Sequence, residues 1–312
     1  KGGRMLCVFG GRFERYAQYV NAFNDTDSTW GYFEQEKRGA YFNIANFTAT
    51  YEGTTLVAGR QLMATPMIQG YDWLLAPASF EAYTLTNSSI ENVTLTGSYL
   101  TKVRENNSGD FDANLDGDNF IVGAAYDNKT INGSVWYYNV DAVTAYNPDK
   151  YGQIYADLGY NFGSFKVDGQ YAGTDYDVAT DAIAFGLMAS TTLSGFDLSA
   201  SYNYLADNAT GFVSWNGLYT NQWNSTVATQ FVGVDGDSIN AFKVAASTTI
   251  SDISVDLSYA SWDNDFYEGD VILGYEFTKS IDAGIVYSNT QSAIWLPDTG
   301  VNQLEVYANY KF

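Results

Sequence analysis

The sequence predicts an all-β fold, a transmembrane antiparallel β-barrel of about 18 strands, with 16 as the runner-up count. Three observations predict it. Apolar and polar residues alternate strictly over many short segments. The connections between those segments alternate between short and long. The polar faces of the segments are hydrophilic nearly throughout the chain.

The alternation is plainest at the end, VNQLEVYANYKF. Leu304, Val306, Ala308, Tyr310 and Phe312 are apolar, and Gln303, Glu305, Asn309 and Lys311 stand between them. A period of two means a strand with two unlike faces. ISVDLSYA sets Ile253, Val255, Leu257 and Tyr259 against Ser254, Asp256 and Ser258, and FDLSASYNY sets Leu198, Ala200 and Tyr202 against Asp197, Ser199 and Ser201. IYADLGYNF, FKVDGQY, FKVAAST and YEGDVILGYEF repeat the pattern. Each segment has about ten residues, the length of a tilted strand across a bilayer.

Short connections fall at 127–129, 161–164, 193–195, 250–252 and 278–280, and long polar ones at 103–118, 139–150, 205–238 and 289–301. Tight turns on one side and long loops on the other are the rule for outer-membrane barrels, with the turns periplasmic and the loops extracellular. About 17 segments can be counted, beginning with GRMLCVF, and single-chain bacterial barrels usually have even numbers. The simplest repair is a strand and a signal peptide preceding residue 1. The whole chain, 1–312, reads as one domain.

The apolar faces then lie against lipid. No other element is available to cover them, as a soluble sandwich would require. A propeller would show a repeat per blade, and none is present. Aromatic residues at 17% of the chain suit the girdles of a membrane barrel.

Composition excludes several functions. The chain has 36 acidic and 15 basic residues and a net charge of −21, so nucleic acid is not a partner. It has no His, which removes Ser-His and Cys-His nucleophiles and HExxH metal sites, and the expectation is a protein that is not an enzyme. The single Cys, Cys7, excludes an internal disulfide and reads as a small strand hydrophobe.

The stretch TTLVAGRQLMATPMIQGYDWLLAPASFEAY breaks the rhythm. A strand over 54–61 runs into a loop, 62–79, with two of the four prolines, and a strand restarts near Phe80. Pro is poorly tolerated inside a ladder. The loop is apolar for the exposed side, so it is expected to fold into the barrel and narrow it. The matches Gly59-Arg60-Gln61, Pro66, Asp72, Pro77 and Phe80 resemble the constriction-loop region of the OprD family of outer-membrane porins. The versions in epsilon-class proteobacteria are the most similar. The terminal Phe312 resembles the signal read by the barrel-insertion machinery. The resemblance implies an 18-stranded barrel passing small solutes, often carboxylates, with Arg60, Gln61 and Asp72 at or near the eyelet. Leu74 stands where the family commonly has Arg, which removes a bidentate carboxylate partner and points away from strong carboxylate selectivity. Arg60 reads equally well as an ion-pairing anchor for the loop and as a solute contact.

NVTLTGSYLTKVR places Asn92, Thr94, Thr96, Ser98, Lys102 and Arg104 on one face. Lys102 and Arg104 are expected to face the lumen, opposing Asp72 and Glu81 in a transverse field that orients dipolar solutes. The loop DFDANLDGDNF spaces Asp112, Asn114 and Asp116 as the front half of a calcium loop, with Asp110 and Asp118 as further oxygens. Gly123 stands where an EF-hand needs Glu, so calcium here competes with a plain solvated acidic cluster.

The function expected is an outer-membrane porin: diffusion of ions and small hydrophilic solutes such as amino acids, weakly cation-preferring. The alternative is an adhesin or structural barrel with a plugged lumen. The expected partners are outer-membrane lipid, lipopolysaccharide, small solutes and a homotrimer.

Overall fold

The computed structural model describes residues 4–6, 12–22, 39–69, 78–104, 111, 113–141, 149–206, 217–223, 238–263, 265–292 and 296–310. The described residues form a meander of 18 strands. The first six are β1 (Arg4–Leu6), β2 (Arg12–Ala22), β3 (Gly39–Tyr51), β4 (Thr54–Gln61), β5 (Ser79–Asn87) and β6 (Val93–Arg104). There follow β7 (Ala113–Asn114), β8 (Phe120–Asp127), β9 (Ile131–Val140), β10 (Tyr151–Asn161), β11 (Lys166–Tyr176) and β12 (Ala182–Leu193). The last six are β13 (Phe196–Ala206), β14 (Ile239–Ile250), β15 (Ile253–Trp262), β16 (Tyr267–Thr278), β17 (Ile281–Ser292) and β18 (Leu296–Tyr310). Each pairs antiparallel with its neighbour, β6 with β8 directly, while the two-residue β7 folds back on the end of β6. Among the described residues no register joins β18 back to the first strands.

Three of the tight turns show why they are tight. Glu52-Gly53, Ser194-Gly195 and Ser251-Asp252 all have positive φ at both positions. That is the two-residue hairpin whose twist matches the flanking strands. These turns, with 88–92, 128–130, 162–165 and 279–280, occupy one end of the sheet.

The other end differs from the expectation in two ways. The β11–β12 and β15–β16 connections, 177–181 and 263–266, are short. The loop expected over 289–301 is mostly strand, because β17 runs to Ser292 and β18 starts at Leu296. Pro297 and Gly300 stand inside this stretch. They fall where the register jumps between Thr290↔Val301 and Ser292↔Leu296, an irregularity that spares Pro297 from the ladder.

The outer face is apolar and uncovered. Leu304 and Val306 are 68% and 69% exposed, and Leu187, Val244 and Val135 behave alike. Rings collect at two levels: Tyr171–Phe185, Tyr202–Phe242 and Tyr259–Tyr267 toward the long-loop end, Phe162–Phe165 and Tyr275–Phe277 toward the short turns. From Tyr267 to Phe277 β16 climbs about 33 Å, which a tilt of about 40° reduces to about 25 Å, the height of the lipid band of such barrels. The buried residues lie on the inner face. Their apolar cluster includes Phe80, Leu100, Val103, Ile121 and Tyr138 of the wall together with Met63, Met67, Ile68 and Leu218 of two connections.

Candidate functional site

Two connections enter the lumen. The first is the predicted constriction loop between β4 and β5, described over 62–69. It begins at Gly59, whose φ is +117° and where a Cβ would stand 2.5 Å from the Ala45 carbonyl oxygen, so only glycine fits. Gln61 then ties β4 to β5 by donating to the Ala82 carbonyl at 2.8 Å. The loop folds into a tight turn. Ala64 and Gln69 form a bridge, and Thr65 accepts from the Ile68 N–H at 3.2 Å through its hydroxyl. Pro66 sits second in that turn, where its fixed φ is suited. Met67 at the tip is fully buried, and its N–H donates to the Tyr138 hydroxyl at 3.1 Å. Tyr138 is on β9, three wall strands beyond β5, so the loop crosses the inner face sideways.

The second is the β13–β14 connection, whose sequence, 205–238, predicts a long polar loop. Its segment 217–223, GLYTNQW, lies inside the sheet. Wall side chains hold its backbone. Gln170 of β11 donates to the Gly217 carbonyl and accepts from the Tyr219 N–H, both at 3.1 Å. Asn203 of β13 accepts from the Thr220 N–H at 3.1 Å and the Thr220 hydroxyl at 3.0 Å. Lys243 of β14 donates to the Asn221 carbonyl. Ser258 of β15 donates to Gln222 at 2.9 Å, and Asp270 of β16 accepts from the Trp223 N–H at 3.2 Å. One signal was available for this insertion: Leu218, Tyr219 and Trp223 are large apolar residues in a polar loop, the same anomaly that marked 62–79.

A cavity of about 820 Å³ opens on the inner face toward the short turns. Lys166, Lys243, Asp197 and Asp256 line it among hydroxyls such as Ser190, Ser199, Ser247 and Ser258.

The residues predicted from sequence fall as follows. Arg60 donates to the Phe42 carbonyl at 2.9 Å, and its guanidinium lies 4.3 Å from the Phe111 ring centroid. Arg104 is fully buried, donates from Nε to Asn43 Oδ1 at 2.9 Å and stacks on Tyr41. Asn43 also accepts from Ser79. Glu81 accepts from the Thr101 hydroxyl at 3.2 Å. A register shift between Glu81 and Ala82 leaves Thr101 unpaired and sets Lys102 opposite Glu81, which faces Arg60 in turn. Strict alternation along β6 therefore breaks at Thr101, and Val103 rather than Lys102 joins the core beside Leu100. Asp72 lies outside the described residues.

Asp110 and Asp112 of the acidic loop also lie outside them. Asn114, Asp116 and Asp118 are exposed. The turn there is organised by Asn119, which donates to the carbonyls of Leu115, Asp116 and Gly117 and accepts from the Asp141 N–H at 3.0 Å. Among the described residues no three acidic side chains gather as a metal site.

The fold is similar to solved porin structures. A BenF-like porin from Pseudomonas fluorescens Pf-5 superposes with a TM-score of 0.78 at 13% identity, covering 99% of this chain and 88% of that one. OccK9 (OpdG) of Pseudomonas aeruginosa gives 0.76 at 17% identity, covering 98% and 88%. OpdK of Pseudomonas aeruginosa with vanillate gives 0.75 at 13% identity, covering 99% and 89%. No curated protein matches the chain by sequence. The model of the outer membrane porin, OprD family, matches residues 34–245. An antiparallel wall with an apolar outer face, a lumen entered by two connections and a family match over two thirds of the chain agree: the chain belongs to the OprD family of bacterial outer-membrane porins.

Proposed function

We propose that this porin passes small hydrophilic solutes of amino-acid size, with a weak preference for cations, through a lumen narrowed from two sides. The observation that carries the reading is the pair of inserted segments, 62–69 reaching β9 and 217–223 held by β11 to β16. A single inserted loop would leave a wider channel. The cavity of about 820 Å³, lined by Lys243 and Ser258 that also bond the 217–223 segment, has room for such a solute.

Charge supports the cation preference. Asp157, Asp168, Asp197, Asp256, Glu268 and Asp270 stand on strands β10 to β16 on the same faces as Lys166 and Lys243. A lumen of one sign concentrates counter-ions. Arg60 and Arg104 are assigned to anchoring the long-loop end of β3 to β6, since each is engaged by carbonyl or amide oxygens and a ring.

OpdK was solved with vanillate, an aromatic carboxylate. Here Leu74 in place of the family's common Arg argues for a different solute. Reversal potentials across a KCl gradient test the preference, and a clear anion preference at low salt would refute it. Three further proposals rest on sequence or class alone. Calcium at Asp110, Asp112, Asn114, Asp116 and Asp118 is refuted if calorimetric titration shows no heat. Lipopolysaccharide contact and a homotrimer are refuted if native mass spectrometry of the extracted protein shows a bare monomer.

A further inference from the structure

We infer that Asp157 and Asp168 form a subsite for a singly charged cation on the inner wall, beside the inserted 217–223 segment. The inference deepens the proposed function and rests on its cation preference.

Backbone register makes the two carboxylates diagonal neighbours on one face. Asp157 on β10 pairs with Gln170 on β11, and Asp168 lies two residues along from Gln170 on the same face. Diagonal neighbours of this kind have Cα atoms about 7–8 Å apart, with side chains able to converge. Gly159, opposite Asp168 and two residues from Asp157, leaves room for the Asp168 carboxylate to lie over its backbone. A Cβ at Gly159 would collide with the Asp168 carboxylate and with the Asn132 amide oxygen.

The donors present satisfy only part of the pair. Asp168 Oδ1 takes both of its donors, Lys166 Nζ at 2.7 Å and Asn132 Nδ2 at 3.3 Å. Asp157 Oδ1 takes the Ser134 hydroxyl. Asp168 Oδ2 is buried without a hydrogen-bond partner among the described residues, in a residue only 4% exposed. Two carboxylates against one ammonium leave one negative charge unmatched. A buried carboxylate oxygen without a donor is costly, and the surplus negative charge beside it suits the site to one positive charge.

The chemistry of the donors selects the ligand. Asp168 Oδ2, Asp157 Oδ2 and Asn132 Oδ1 are all hard oxygens. One surplus charge suits a singly charged cation. A divalent ion asks for six to eight oxygens, or for an octahedron, and no trio of acidic side chains gathers here among the described residues. Asp157 is half-buried, not buried, and so provides the way in from the lumen.

The test uses the full chain. Conductance is recorded in planar bilayers from low to high KCl, for the native protein, D168N and K166Q. Native conductance is expected to saturate toward high KCl, as a channel with a binding site does, and that saturation is expected to be lost in D168N. K166Q removes the ammonium from Asp168 Oδ1, leaving the Asn132 amide, and is expected to raise cation selectivity. A purely structural Lys166–Asp168 pair would instead lose stability in both variants and leave the saturation unchanged. Crystals soaked in rubidium chloride are expected to show an anomalous peak between Asp157 and Asp168, absent in D168N. Ethylammonium added to KCl separates the sources: block that D168N abolishes extends the site to solute ammonium groups, and no block with the peak retained confines it to alkali ions. If D168N does not fold, D157N replaces it, because Asp157 has solvent contact. No rubidium peak, together with identical conductance curves in native and folded variants, overturns the subsite. A native protein that carries no current defeats the porin reading instead, while the rubidium soak still judges the subsite.

Discussion

The Met67 N–H donates to the Tyr138 hydroxyl at 3.1 Å, with both residues fully buried. This bond joins the tip of the β4–β5 loop to a strand three positions further around the wall. Tyr138→Phe keeps the ring and removes the acceptor. Leaving a buried N–H unsatisfied costs about 1–3 kcal/mol. The variant is expected to fold, to unfold at lower urea, and to show larger single-channel current fluctuations than the native protein. Unchanged urea midpoint and unchanged noise would show that the loop is held by its apolar contacts alone.

Gln170 and Asn203 hold the 217–223 segment through its backbone amides and carbonyls. Replacing both by Ala removes three hydrogen bonds to the main chain without touching the segment itself. The double variant is expected to conduct more than the native channel. A Cys placed at Thr220 should react faster with a water-soluble thiol reagent in that background. Equal reaction rates would mean that the segment stays seated without them.

The lipid face is tested by Leu187→Lys against Ser199→Lys. Leu187 is 60% exposed on the outer face at mid-strand, and Ser199 lines the inner cavity. A Lys at mid-membrane depth on a lipid face costs about 2–4 kcal/mol. Urea unfolding in lipid vesicles should show that loss for Leu187→Lys only. The reverse order would invert the assignment of faces.

Asp149 closes the β9–β10 loop onto the β11–β12 turn. Its carboxylate accepts from the Ala179 N–H at 2.7 Å and the Val178 N–H at 2.8 Å. These bonds, that from Ala179 first, hold its pKa below the usual aspartate value. A lowered folded pKa means that the latch contributes fully above the ordinary aspartate range and is lost as pH falls through the lowered value. Amide exchange at Val178 and Ala179, corrected for intrinsic rates, should therefore be protected at neutral pH and lose protection in acid. D149N should lack the acid transition. Identical profiles for the two proteins would remove Asp149 from the latch.

The wall was legible because period-two alternation is a direct consequence of strand geometry. Leu304, Val306 and Tyr310 project outward as their spacing required. The inserted 62–69 loop was legible because Met63, Met67 and Ile68 are too apolar for water. Three things were not. The shift at Thr101 is a backbone irregularity with no residue signature, so Lys102 could not be placed by counting. The seat of the 217–223 insertion, beyond the hint of Leu218, Tyr219 and Trp223 in a polar loop, depends on Gln170, Asn203 and Asp270, which are distant in sequence and look like ordinary lumen residues. Pro297 and Gly300 carry a loop signature that a local register irregularity absorbs.

The central claim, an open channel pinched by two inserted segments, is tested most directly by single-channel conductance of the native protein beside a variant with 217–223 replaced by a Gly-Ser linker of equal length. The account predicts a small, stable native conductance and a larger one in the variant. A correctly folded native protein that carries no current, with conductance appearing only when 217–223 is replaced, would contradict it and identify a plugged barrel.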